Sequence, residues 1–341
     1  MSPPYFNASK LYQTSLSNAI LTYLCYNHFV MKDTRIIFMG TPSFASNILS
    51  GLLDNGYNIV GVVTQADKRI GRKQILTYTP VKEVALAHNL PVFQPLKIRN
   101  EYEDILALKP ELIITCAYGQ FIPKAILDYP KYGCINTHGS LLPKYRGGAP
   151  IQKAIINGEE KTGITIMYMD TKMDEGDILF MESLDIDIDD TSTTLFSKLS
   201  DLALKMLLEH LDDIIDGNIN PVKQNSEEAT YAYNLKPEDE YIVFDEDYMK
   251  VYNHIRGLLD NPGAYATIEN KKIKFHKVRC TDKVLTEPGM VYGLYDGGLL
   301  IGALNGSIII DEIQSEGKSR MKAKDFYNGA GKNLVGKKFI K

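Results

Sequence analysis

Asn136 and His138 stand two positions apart at the end of an apolar run, CINTH, and lead into GSLLPKYRGGAP, a segment with two prolines and three glycines. Successive side chains of a strand alternate between faces, so residues 136 and 138 share one. At the carboxyl end of a strand in an open α/β sheet, that face looks into the ligand crevice. A second apolar strand is expected from Ile164 to Met169, running into an acidic loop with Asp170, Asp174 and Asp177. An amide donor, a titratable imidazole and a carboxylate supply a hydrogen-bond donor, a proton handler and an orienter. Such a set suits acyl transfer, in which charge develops on a carbonyl oxygen. Alone, His138 would more often be structural, and a three-acid loop is usually a solvated turn. The pairing with Asn136 before a Gly-Ser-x-x-Pro loop favours chemistry. Asp174 stands out among the acids because Met173 and Gly176 imply a tight turn beside apolar surface. The other histidines, at 28, 88, 210, 254 and 276, carry no such constellation.

The elements that must hold these residues repeat. RIIFMG reads as a buried strand, and Thr41-Pro42 opens a helix through Leu53, with proline placed where its missing donor costs little. NIVGVVT is a second strand, VKEVALAHN a helix, LPVF a short strand and NEYEDILAL a helix. PELIITCAYG is a continuous apolar strand of the kind covered on both faces. A helix is expected from Ala149, and TSTTLFSKLSDLALKMLLEHLDDII is a long amphipathic helix. Repeated βα units of this kind predict an α/β fold, a doubly wound parallel sheet. The polar stretch 217–235 reads as a linker. Beyond it, one helical run, DEDYMKVYNHIRGLLDN, precedes five short strands at roughly ten-residue intervals, the signature of a small antiparallel barrel. The expected division is an extension at 1–31, a catalytic domain at 32–216, the linker, and a barrel domain at 236–341.

The chain has 341 residues and a formal charge of −4, which does not suggest a nucleic-acid binder on average. The charge is graded, however: from Lys271 to Lys341 there are 14 Lys/Arg against 7 Asp/Glu. A second cationic stretch lies in QADKRIGRKQILTYTP, read as a loop with Lys68, Arg69, Arg72 and Lys73. Either stretch alone would pass for a solvated face; two separated ones suit a long polyanion. Four cysteines without paired spacing fit a reducing, cytoplasmic setting and no metal site. MGTPSF lacks the second and third glycines of a dinucleotide fingerprint, and no Walker loop, H-E-x-x-H or G-x-S-x-G is present. The apolar run at 19–25 is too short to span a bilayer. With no acid and one lysine in its first 30 residues, the chain is expected to begin its folded part near Met31, after a disordered extension.

NTHGSLLPKYRGGAPIQ with the MDTKMDEGD loop resembles the folate-dependent formyltransferases, as do MGTPSFA, GVVTQADKRIGRK, TPVKEVA, LPVFQP and AYGQFIPKAIL. The likeness runs from about Arg35 to the C-terminus. It implies a Rossmann-like formyltransferase domain followed by an OB-like barrel. It also implies transfer of the formyl group of 10-formyltetrahydrofolate to the α-amine of methionine on initiator tRNA, by a monomer without metal. The family's catalytic asparagine, histidine and aspartate fall on Asn136, His138 and Asp174. Its tetrahydrofolate-binding S-L-L-P falls on Ser140, Leu141, Leu142 and Pro143. Its tRNA-contacting insertion falls on residues 65–79, with Gly71-Arg72-Lys73-Gln74 lacking the family's second glycine. The alternatives are a formyltransferase acting on a small amine, such as an amino-sugar nucleotide, and a tRNA-binding module without activity.

Overall fold

The strand that ends in Asn136 and His138 is preceded by alternating strands and helices, with one hairpin among them. The computed structural model describes residues 33–71, 73–283 and 287–340, so the extension expected at 1–31 lies outside the described residues. The chain forms two units: residues up to Asn136 together with Leu204–Asn220, and Thr137–Ala203 together with Pro221–Lys341. In the first unit β1 (Ile36–Gly40), α1 (Ser43–Asp54) and β2 (Ile59–Val63) are followed by two short strands, β3 (Lys68–Ile70) and β4 (Ile75–Thr77). Then come α2 (Pro80–Ala87), β5 (Val92–Phe93), α3 (Glu103–Ala107), β6 (Leu112–Cys116), α4 (Lys124–Leu127) and β7 (Cys134–His138).

Strands β5, β2, β1, β6 and β7 lie side by side in that order, each neighbouring pair parallel. A parallel strand covered on both faces need not alternate polar with apolar residues. Accordingly β1 and β6 are buried at every position. Gly40 ends β1 where a Cβ would lie 2.6 Å from that of Ala45 and 2.9 Å from the Cys116 carbonyl oxygen. The lone glycine of MGTPSF is therefore a packing requirement of the strand–helix corner. The basic insertion, expected as a loop, is instead the antiparallel hairpin β3–β4, with Lys68 opposite Thr77 and Ile70 opposite Ile75.

β7 carries the chain into the second unit, which begins with α5 (Pro150–Ile156), β8 (Lys161–Tyr168) and β9 (Ile178–Asp185); the long helix α6 (Ser192–Asp216) starts there and from Leu204 on belongs to the first unit. β8 and β9 pair antiparallel from Lys161↔Asp185 to Met167↔Ile178, a departure from the all-parallel expectation. Most of β9 alternates between half-buried and exposed residues, the pattern of a strand at the edge of its sheet.

α7 (Tyr248–Leu258) is capped by Asp247, whose side chain accepts from the Met249 amide. Its Val251, Tyr252, Ile255 and Leu258 face the second core. There follow β10 (Ala264–Ile268), β11 (Lys271–Thr281), β12 (Val291–Tyr295), β13 (Gly298–Ala303), β14 (Gly306–Ser315), β15 (Met321–Lys322) and α8 (Ala323–Asn328). The order is β10-β11-β14-β13-β12, antiparallel throughout, with β15 on β14. β11 breaks register around Lys277, the kind of bulge that lets a strand bend. The C-terminal tail closes the ring: Lys338 bridges to Met290, before β12, and Ile340 bridges to Thr267 on β10. Between them Phe339 packs into an aromatic cluster with Phe244 and Phe275, at centroid distances of 5.5 and 5.8 Å. The barrel expected from five strands thus needs a sixth contribution, from a tail too short and too basic to read as a strand.

Candidate active site

Asn136 lies opposite Thr115 in the parallel register of β6 with β7. Its Oδ1 accepts from the Thr115 hydroxyl at 2.9 Å, the nearer of the two acceptors that share that hydrogen, the other being the Ile135 carbonyl at 3.1 Å. That bond commits the carbonyl end of the amide to the sheet and leaves the NH2 as the donor end. His138, two residues on, belongs to the same side of the strand and is 5% exposed.

The ring of His138 is held from both sides. Nε2 lies 2.9 Å from the Tyr145 carbonyl oxygen. A carbonyl only accepts, so Nε2 carries the proton in the neutral ring. Nδ1 is thereby the open nitrogen, and it faces Asp174 Oδ2 at 3.7 Å. The expected His–Asp proximity is present, but the tightest hold on the imidazole is a main-chain carbonyl absent from the sequence pattern.

Asp174 sits at φ 52°, in the left-handed region that side chains other than glycine seldom adopt. Its Oδ2 accepts from the Gly147 amide at 2.8 Å. The loop that presents it is closed at the base of β8, where the Tyr168 amide donates to the Asp177 carbonyl at 2.9 Å. Gly176 makes this closure possible, because a Cβ there would lie 1.8 Å from the Tyr168 carbonyl oxygen. The tight turn expected from Met173 and Gly176 is real. Asp170 caps its own turn, accepting from the Thr171 amide.

The S-L-L-P segment is mostly internal. Ser140 is 1% exposed and donates to the Lys144 carbonyl at 2.7 Å. Thr165 of β8 donates to the Ser140 carbonyl at 2.7 Å and accepts from the Leu142 amide at 3.2 Å. Leu142 is buried, whereas Leu141 and Pro143 are half-buried, and Leu141 borders a cavity of about 410 Å³ shared with Lys144, Tyr145 and Thr162. Ser140 thus shapes the turn, and its neighbours present the surface.

Of the four basic residues singled out, Lys68, Arg69 and Lys73 are exposed on the β3–β4 hairpin or at its turn. Arg72 lies outside the described residues. Ile75, Leu76 and Tyr78 are 61, 53 and 44% exposed beside them, so the hairpin offers apolar as well as cationic surface. Its base is clamped: Lys82 donates to Asp67 at 2.6 Å and to Gln94 at 2.7 Å, and Gln94 donates back to Asp67 at 2.8 Å. Those bonds from Lys82 and Gln94 hold the Asp67 carboxyl below its ordinary value. A carboxylate lowered in the folded state stabilises fully above its unfolded value of about 3.9. That contribution is lost as pH falls through the lower native value. Asp67→Asn should cost about 1–2 kcal/mol at neutral pH and flatten the acid limb of the stability curve. Thermal unfolding of both proteins across that range checks it; parallel curves would remove Asp67 from the clamp.

Three further residues surround Asp174 and were not singled out by pattern. Arg146 is 1% exposed, and its Nε and Nη2 donate to Gln224 Oε1 at 3.0 and 2.8 Å. Its Nη1 lies 3.2 Å from Glu175. Gln224 reaches the loop from the stretch read as a linker. Arg146 could have been suspected as a charge inside a glycine-rich loop; nothing local marks Gln224. Among the described residues no cluster of His, Cys, Asp and Glu could hold a metal, and no helix is long and apolar enough to cross a membrane.

A parallel α/β sheet delivering an N-x-H strand end to a strapped aspartate loop, followed by an antiparallel barrel, defines the class: a two-part group-transfer enzyme. The Formyl transferase profile matches residues 34–211, and the profile of its C-terminal domain matches residues 234–331. The methionyl-tRNA formyltransferase of Bacillus mycoides (strain KBAB4) is 48% identical over 301 residues, covering 86% of this chain and 95% of that protein. The methionyl-tRNA formyltransferase of Bacillus subtilis (strain 168) is 47% identical over 301 residues, covering 87 and 95%. Among solved structures, HypX from Aquifex aeolicus in complex with tetrahydrofolic acid shares the fold, with a TM-score of 0.65 at 16% identity over 90% of this chain and 51% of that one. The chain belongs to the formyl transferase family, among the methionyl-tRNA formyltransferases.

Proposed function

We infer that this chain transfers the formyl group of 10-formyltetrahydrofolate to the amino group of methionyl initiator tRNA, supplying formylmethionyl-tRNA for translation initiation. The observation that carries this reading is the near-half identity to methionyl-tRNA formyltransferases across both parts of the chain, from the sheet through the barrel.

The nucleophile is the substrate's own amine, so no serine or cysteine is needed. As nitrogen attacks the formyl carbon, the carbonyl oxygen becomes an oxyanion, and the Asn136 NH2 is the donor that stabilises it. His138 accepts the amine's proton at Nδ1, and the Asp174 carboxylate balances the charge on the ring. The new C–N bond forms, the bond to folate N10 breaks, and that proton ends on N10. The folate co-substrate is held by Ser140–Pro143. With the Ser140 hydroxyl consumed inside the turn, Leu141 and Pro143 offer the apolar flank that suits an aromatic pterin. The enzyme acts as a cytoplasmic monomer.

The test uses purified chain, formylated tetrahydrofolate, and either methionyl-tRNA or small amines. Formylation of methionyl-tRNA alone is expected; an amino-sugar nucleotide formylated as fast would overturn the substrate, and tRNA binding without transfer would overturn the activity. The hairpin gives a separate prediction. Lys68→Ala with Arg69→Ala should raise the KM for tRNA, leave folate binding intact, and reduce the slope of log affinity against log salt by about 1 per cation removed. An unchanged salt slope would show that the acceptor arm does not cross this hairpin.

A further inference from the structure

We propose that Gln224 is a positioning residue of the reaction: it sets the backbone of the loop that aims Asp174 at His138, so the stretch around it is part of the active site and not a spacer. The proposal rests on the transfer reaction inferred above.

One side-chain amide is fully engaged. Its Nε2 donates to the carbonyl oxygens of Asp174 and Gly176, both at 2.8 Å. Its Oε1 accepts from two nitrogens of the buried Arg146 guanidinium. Both hydrogens and both lone pairs are used, so the amide has one orientation. Arg146 in turn meets Glu175. Residues 174, 175 and 176 are therefore gripped in succession, the first and third by Gln224 and the middle one through Arg146. This grip falls on a turn whose central residue, Asp174, is in the left-handed region, a conformation that persists only when its surroundings over-determine it.

The same strip holds the other side of the site. The Ile178 amide donates to Val222 and the Val222 amide to Ile178, each at 2.8 Å, which anchors the strip two residues before Gln224. Farther on, the Arg146 amide donates to Thr230, the Ala232 amide to Arg146, and the Ala149 amide to Ala232, at 2.8, 2.7 and 2.9 Å. Between these anchors lies the loop that contributes the Tyr145 carbonyl to His138 and the Gly147 amide to Asp174. Gln224 touches neither the imidazole nor the carboxylate, so its influence passes through the Asp174 main chain. A displacement of about 1 Å at such a group can cost about 100-fold in rate.

The experiment is single-turnover formylation of methionyl-tRNA with enzyme in excess, for wild type, Gln224→Ala, Asp174→Ala and the double variant, with KM for tRNA measured in parallel. Gln224→Ala should lower the rate about ten- to a hundredfold, leave KM within about twofold, and cost nothing further once Asp174 is alanine. Gln224→Glu keeps the acceptor toward Arg146 and loses both donors to the carbonyls; it should lose rate to a similar degree, and it serves if the alanine variant does not fold. Additive losses in the Asp174→Ala background, or an unchanged rate in Gln224→Glu, overturn the proposal. A wild-type chain inert toward every amine would instead bring down the reaction on which the proposal rests.

Discussion

Asn136→Ala is expected to lower kcat by about 10²–10³-fold, the usual cost of losing one preorganised donor to a developing oxyanion. The Thr115 hydroxyl takes the Oδ1 end of the amide, so the NH2 end is presented without any reorganisation when charge appears. Because the interaction strengthens only as the carbonyl becomes an oxyanion, the loss should fall on kcat and leave folate affinity nearly unchanged. Asn136→Asp is the sharper variant: it nearly preserves the shape, replaces the donor with an acceptor, and should be at least as damaging. His138→Ala should lose a comparable factor, through the proton step, with Nδ1 as the atom that matters. Steady-state kinetics with donor and methionyl-tRNA varied separately decide both. Turnover within tenfold of wild type in either alanine variant would strip that residue of its role.

The parts of this site legible in the sequence are those whose cause is local. Asn136 and His138 declare themselves because a strand has period two, and the apolar runs of β1 and β6 because a strand covered on both faces contains little else. Asp174 is legible through its neighbours, since Gly176 is needed wherever backbone comes within 1.8 Å of a missing Cβ. The hairpin β3–β4 is not legible, because its strands are only three residues long, those of β4 are all exposed, and its clamp joins residues 12 to 27 apart. β9 hides for a related reason, with one face half-buried and the other wet. The closing tail of the barrel is shorter than any window in which periodicity can be counted. Gln224 is the extreme case. Its three partners lie 48, 50 and 78 residues away, and a glutamine in a polar stretch looks like every other one.

Arg146→Ala should be the most destabilising change near the site, about 3 kcal/mol. With transitions of this size that is a fall of roughly 6–12 °C in the melting temperature of the unit that holds it. Arg146 is 1% exposed and ranks among the largest fully buried side chains. Such burial is tolerable only because three of its nitrogens are satisfied, two by Gln224 and one by Glu175. Truncation leaves a void, an orphaned amide oxygen and a carboxylate without its cation, and each carries its own penalty. Glu175 is 26% exposed and can recover some solvation, which holds the estimate at the low end for a broken buried pair. Arg146→Met separates the contributions: it refills the volume without the charge, so it should recover part of the stability and none of the grip on the loop. Thermal unfolding and kcat measured on the same samples distinguish the two. If methionine restores turnover along with stability, the guanidinium serves only as filling, and the Asp174 loop holds its shape without it.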